Sequence, residues 1–206
     1  MGRKSYKTRS TVLLRTPSRV RKLRRILIVC EGKKTEPLYF KSFPANPVVY
    51  DALDIKGVGN NTVFVVQKAI DLRDTAEKTG NPYIEVWAVF DKDDFPIEHF
   101  KQAIELAKKN RIKCAYSIES FELWYLLHFN YIDTALPRSE YIKKISLLMG
   151  KGYQKNDTGM YAFLSKRMPI ALKNAFLLYD RQVQKRLEDQ NPVTLVFQLV
   201  QRLMEE

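Results

Sequence analysis

Two short apolar runs, each ending abruptly in carboxylates, constrain this chain more than any other feature. The first is Ile26-Leu27-Ile28-Val29-Cys30, followed by Glu31-Gly32. The second is Val86-Trp87-Ala88-Val89-Phe90, followed by Asp91-Lys92-Asp93-Asp94. Both are short, continuous and rich in β-branched or aromatic residues, the pattern of buried strands. In an open α/β sheet, ligands bind outside the carboxyl ends of the strands. Two such ends carrying Glu and Asp-x-Asp can therefore meet in one cleft, where clustered carboxylates suit a hard divalent cation such as Mg2+.

The rest of the chain predicts what surrounds these runs. Strands are expected over 24–30, 48–56, 83–90 and 112–118, alternating with helices that begin near Thr35, Thr62 and Ile97. Thr35 and Thr62 are read as N-caps, with Pro37 in the first turn of its helix. Leu38, Tyr39, Phe40 and Phe43 are expected to face the sheet. Gly57-Val58-Gly59-Asn60-Asn61 and Gly80-Asn81-Pro82 read as turns. This β-α order points to an α/β fold, a mostly parallel sheet with helices on both faces. An apolar helix follows at 119–129, and segments 138–149, 158–168, 170–189 and 192–205 read as further helices. The expected organisation is a basic arm (1–23), an α/β core (24–130) and a C-terminal helical extension packed on the core (131–206).

Charge is unevenly placed. Residues 1–25 hold ten basic side chains and no acid, whereas the whole chain is +12, so residues 26–206 stand near balance. Within this arm, Arg21, Lys22, Arg24 and Arg25 lie nearest the first strand. A basic arm is an electrostatic footprint for a phosphate backbone, adding affinity without sequence information. A solubilising tail, or one docking on an acidic partner, is the alternative. No apolar stretch reaches the ~18 residues that a membrane span needs, and the basic N-terminus lacks the apolar region of a signal peptide. Cys30 and Cys114 both fall in apolar runs, as expected of buried thiols in a reducing compartment. The expected location is cytoplasmic.

Among the candidate site residues, Glu31 precedes a glycine that permits a tight turn, and its carboxylate can act as acid, base or metal ligand. Asp91 and Asp93 can converge on one ion across a bent loop; a solvated loop with a helix-capping Asp is the alternative. Glu122 lies in a very apolar helix, where an acid requires a partner or a metal. Lys33 and Lys34, beside Glu31, can bind a phosphate or be ordinary loop lysines. Tyr39, Trp124 and Tyr125 are read as core rather than as base-stacking platforms, and His128 as structural. The basic loop 151–156 can track a nucleic-acid backbone or simply connect two helices.

Ile28-Val29-Cys30-Glu31-Gly32-x-x-Thr35-Glu36-x-x-Tyr39-Phe40, Asp91-Lys92-Asp93, Ser120-Phe121-Glu122-Leu123-Trp124-x-x-x-His128-Phe129 and Asn191-Pro192-x-Thr194 together resemble the RloB / AbiLii family of phage-resistance proteins. The resemblance spans roughly residues 24–205. It implies a core like the Toprim domain, in which a Glu follows the first strand and an Asp-x-Asp follows a later one. By that resemblance Glu31 is the general acid/base, Asp91 and Asp93 are ligands of Mg2+ or Mn2+, and the activity is phosphodiester hydrolysis in nucleic acid. It also implies a second protein of the same defence locus as a partner. Many relatives carry Asn-Pro before the Phe-Glu-x-Trp block, where this chain has Ile118-Glu119-Ser120. Whether Glu119 or Glu122 faces the site stays open at this point. Two further readings compete with the nuclease: a non-catalytic nucleic-acid-binding subunit, and a sensor or toxin acting on nucleotides.

Overall fold

The structure, a computed structural model, describes residues 24–44, 52–59, 61–92 and 96–205. The basic arm 1–23, with Arg21 and Lys22, lies outside the described residues, as do Asp93 and the first part of the second expected strand.

Four strands form one parallel sheet: β1 (Arg25–Cys30), β2 (Ala52–Gly57), β3 (Glu85–Lys92) and β4 (Lys113–Ile118), in the order β2-β1-β3-β4. This is the expected α/β architecture. β1 is central, and Ile26 through Cys30 are fully buried, which explains why the run is continuous rather than alternating. Period-2 alternation sends its side chains to two separate cores. Ile26, Ile28 and Cys30 join Trp87, Val89 and Ala115 on one face, while Leu27 and Val29 join Val86, Ala88 and Phe90 on the other.

The helices divide between these faces. Helix α2 (Thr62–Lys78) and α3 (Ile97–Lys109) cover one face through Val65, Val66, Ala69, Phe100 and Ala103. Helix α1 (Thr35–Lys41) covers the other, together with α4 (Glu122–Leu127), α5 (Arg138–Met149), α6 (Met160–Leu164), α7 (Met168–Gln182) and α8 (Val196–Met204). Residues of α5 to α8 thus share one core with the sheet. Tyr39, Phe40 and Phe43 of the α1 region are buried as expected, whereas Leu38 is only half-buried. The Trp124 indole N–H donates to the Tyr39 hydroxyl at 2.9 Å, tying α4 to α1 inside the core.

Several local expectations need correction. Helix α1 is preceded by Lys34 rather than capped by Thr35, whose hydroxyl instead donates to the Lys155 carbonyl. Helix α2 is capped by Asn61, whose Oδ1 accepts the Phe64 N–H at 3.0 Å, and Thr62 is the first helical residue. The expected 192–205 helix starts only at Val196 because the residues before it pair with β4 instead. There Thr194 pairs antiparallel with Ser117 on the outer edge of β4. Ile118 N–H donates to Val193 and Leu195 N–H to Tyr116, so the C-terminal segment covers the sheet edge. Among the described residues no helix is long and apolar enough to cross a membrane.

Candidate functional site

The strand order determines where a ligand can enter. From β1 the chain moves outward to β2, and from β3 it moves outward in the opposite direction to β4. The switch point therefore lies between the adjacent strands β1 and β3, and their carboxyl ends open a crevice. Glu31 and Asp91 stand at those two ends. Glu31 N–H continues the ladder to the Val89 carbonyl at 2.8 Å, and the Asp91 N–H donates to Glu31 Oε2 at 3.0 Å.

A cleft of about 500 Å3 opens over this point. Its lining includes the carboxylates of Glu31, Glu36, Asp91 and Glu122 and the cations Lys33, Lys34, Arg138 and Lys155. Glu36 is 6% exposed and Glu122 2% exposed, so these are acids of the interior rather than the surface. Each has a hydrogen-bond donor: Gly32 N–H reaches Glu36 Oε1 at 3.2 Å, and the Tyr153 hydroxyl reaches Glu122 Oε1 at 3.1 Å. Asp91 Oδ2 accepts the Phe121 N–H at 3.1 Å and lies 3.4 Å from Arg138 Nη2.

Burial pushes the Asp91 carboxyl well above the usual carboxylate range, and the charges of Glu36 and Glu122 push it further, while Arg138 opposes them. Burial also raises Glu36; its backbone hydrogen bonds oppose the shift, Glu122 adds to it and Lys155 reduces it.

The expected residues fall into three groups. Glu31, Asp91 and Glu122 are brought together, with Lys33 and Lys34 exposed on the rim. Arg24 and Arg25 are at the opposite end of the sheet, since β1 is six residues long, about 20 Å of extended chain. Arg25 there pairs with Asp54 and lies over the Tyr83 ring. Asp93, Arg21 and Lys22 lie outside the described residues. The choice between Glu119 and Glu122 resolves to Glu122, because the Glu119 carboxylate accepts instead from Asn191 Nδ2 at 3.3 Å.

Tyr39, Trp124 and Tyr125 are at most 1% exposed and offer no face to a base. His128 is fully buried with Nδ1 2.9 Å from the Trp124 carbonyl, and burial lowers its pKa to about 4, so the ring is neutral.

Sequence reasoning gave no role to Glu36 or Arg138. Glu36 was signalled by its place in the first turn of an apolar helix, where an acid must find partners. Arg138 carries no local signal, because it reaches Asp91 only through the packing of α5.

The fold and cleft define an α/β protein with an acidic site at its sheet switch point. A family model described as RloB-like protein matches residues 26–203, and the chain belongs to the RloB-like family. No curated protein and no solved structure matches it.

Proposed function

We propose that this RloB-like chain is a phage-defence protein that hydrolyses phosphodiester bonds in nucleic acid by Toprim-type, divalent-metal-dependent chemistry. The family membership supports the defence role. The observation that carries the chemistry is the meeting of Glu31 and Asp91 at adjacent strand ends, joined by the 3.0 Å hydrogen bond and flanked by Lys33 and Lys34.

The donor set fits Mg2+ or Mn2+. Its oxygens are hard, and the mutual repulsion of Asp91, Glu36 and Glu122 is the kind a cation relieves. Among the described residues no group of three or more acidic, histidine or cysteine side chains is arranged to hold a metal ion, and Asp93 lies outside them. Mg2+ binds through a few carboxylates and keeps its remaining positions for water and substrate phosphate. Asp91 would hold the ion, with Asp93 by the family resemblance and Glu122 as a further oxygen donor. Bound there, a divalent ion supplies an activated water and neutralises charge on the phosphoryl group. Glu31 then moves the proton, as base toward the attacking water or as acid toward the leaving oxygen. Lys33 and Lys34 attract the flanking phosphates, and the basic arm adds sequence-independent affinity.

A second reading is a non-catalytic nucleic-acid-binding or sensor subunit of a defence system. It draws on the Arg138–Asp91 contact, through which the protein itself supplies a cation to the acidic cleft. The two readings separate in one assay. Labelled single- and double-stranded DNA and RNA are incubated with Mg2+ or Mn2+ and either wild type or Asp91→Ala. Metal-dependent cutting lost in the variant is expected; binding without cutting by either protein would favour the second reading.

A further inference from the structure

We propose that Arg138, the first residue of α5, is the phosphate-clamping residue of the acidic cleft, its free guanidinium edge taking a non-bridging oxygen of the bound nucleic acid. This rests on the nucleic-acid reading of the cleft. Arg138 is contributed by the helical segment beyond the sheet, yet it lines the same cleft as Glu31 and Asp91. It is anchored through one nitrogen: Nη2 donates to the Glu119 carbonyl at 2.9 Å and makes the long 3.4 Å contact with Asp91. The anchoring turn is an unusual one, because Glu119 has φ +75°, a conformation that residues with a side chain rarely adopt. Among the described residues, Nε and Nη1 of Arg138 have no hydrogen-bond partner, and the side chain is 37% exposed.

A guanidinium held by one corner presents its remaining donors in a fixed fork, the geometry that matches two phosphate oxygens. Lys33, Lys34 and Lys155 are exposed ammonium groups on flexible stems and supply attraction without that geometry. A phosphodiester entering among four carboxylates requires a fixed positive partner near Asp91. Arg138 is the arginine of the cleft lining. A purely structural Arg138 would serve only to balance Asp91; the clamp differs because it acts on the ligand directly.

The test separates the two. Full-length Glu31→Gln protein, with and without Arg138→Gln, is titrated with a fluorescent oligonucleotide of the strand type that wild type binds, over a series of salt concentrations without divalent metal. Loss of one phosphate contact predicts about tenfold weaker binding at the lowest salt. The logarithmic salt slope should be shallower by roughly 0.7–0.9. Arg138→Lys, which keeps the charge and loses the fork, should retain the slope and bind with intermediate affinity; it also serves if the Gln protein does not fold. Unchanged affinity and slope in both variants would overturn the clamp. Wild-type cleavage is scored separately, so binding changes without any cleavage would leave the clamp standing and count against the hydrolase reading.

Discussion

Glu31 and Asp91 lie 60 positions apart in sequence, and the N–H of one is held by the carboxylate of the other at 3.0 Å. That bond spans the switch point of the sheet. Any movement of the β1–α1 turn is therefore felt at the end of β3. The catalytic assignment and the local geometry depend on the same side chain, so substitutions must be chosen to remove one without the other.

Glu36 predicts a pH-dependent trade between stability and site chemistry. Its carboxyl is raised mainly by burial, with Glu122 adding to the shift. An acid whose folded pKa exceeds its unfolded value contributes stability that is fully present below the unfolded pKa and is lost as pH rises through the folded value. Glu36→Gln keeps an oxygen for the Gly32 N–H and removes the charge. The variant should melt a few degrees above wild type at pH 7–8, where about 1 kcal/mol moves Tm by roughly 2–4 °C in a chain of this size. The difference should vanish below the ordinary glutamate range near pH 4.5. Melting curves across pH in the absence of divalent metal check this; a difference that grows toward low pH would contradict it.

Gly57, at the carboxyl end of β2, predicts a remote effect on the cleft. A Cβ built there would lie 2.6 Å from the Gly32 carbonyl oxygen and 3.0 Å from Lys33 Cα, so backbone would have to move. Gly57→Ala should cost about 1–3 kcal/mol of stability. It should also reduce cleavage, because the displaced turn carries Glu31 and Lys33. Urea unfolding together with cleavage rates measures both; a variant as stable and as active as wild type would show that this turn does not set the site.

The C-terminal segment should behave as a clasp on β4. Ser117 and Thr194 are both buried, with hydroxyl oxygens 2.9 Å apart. Thr194→Val leaves the Ser117 hydroxyl without that partner, removes the acceptor of the Val196 N–H 3.3 Å away, and should destabilise the fold by about 1–3 kcal/mol. Adding Ser117→Ala should recover part of the loss, since removing both polar groups is nearly neutral. Equal effects of the single and double variants in urea unfolding would argue against the bond as the cause.

What the sequence made legible follows the range of the forces involved. The buried strands β1 and β3 were readable because a central parallel strand needs apolar side chains on both faces, and the carboxylates that end them mark the site directly. The cap of α2 falls one residue from the expected position, because Asn61 and Thr62 are both capping types and only backbone geometry selects between them. The short α4 begins at Glu122, later than the expected 119, because the chain first turns through Glu119 at positive φ. The Thr194 bridge left no alternation to read, since it is a single pair. Arg138 and Lys155 are tertiary arrivals: Lys155 meets Thr35 across 120 positions, and no local pattern encodes that approach.

The most direct test of the central claim is cleavage by Glu31→Gln under single-turnover conditions with Mg2+, paired with binding of the same labelled strand. Gln is isosteric and keeps an acceptor for the Asp91 N–H, so the fold and the cleft should survive. Loss of a positioned acid/base predicts a rate about 10²–10⁴-fold lower, with affinity unchanged. Cleavage at the wild-type rate would contradict the assignment of Glu31 and, with it, the hydrolytic reading of the cleft.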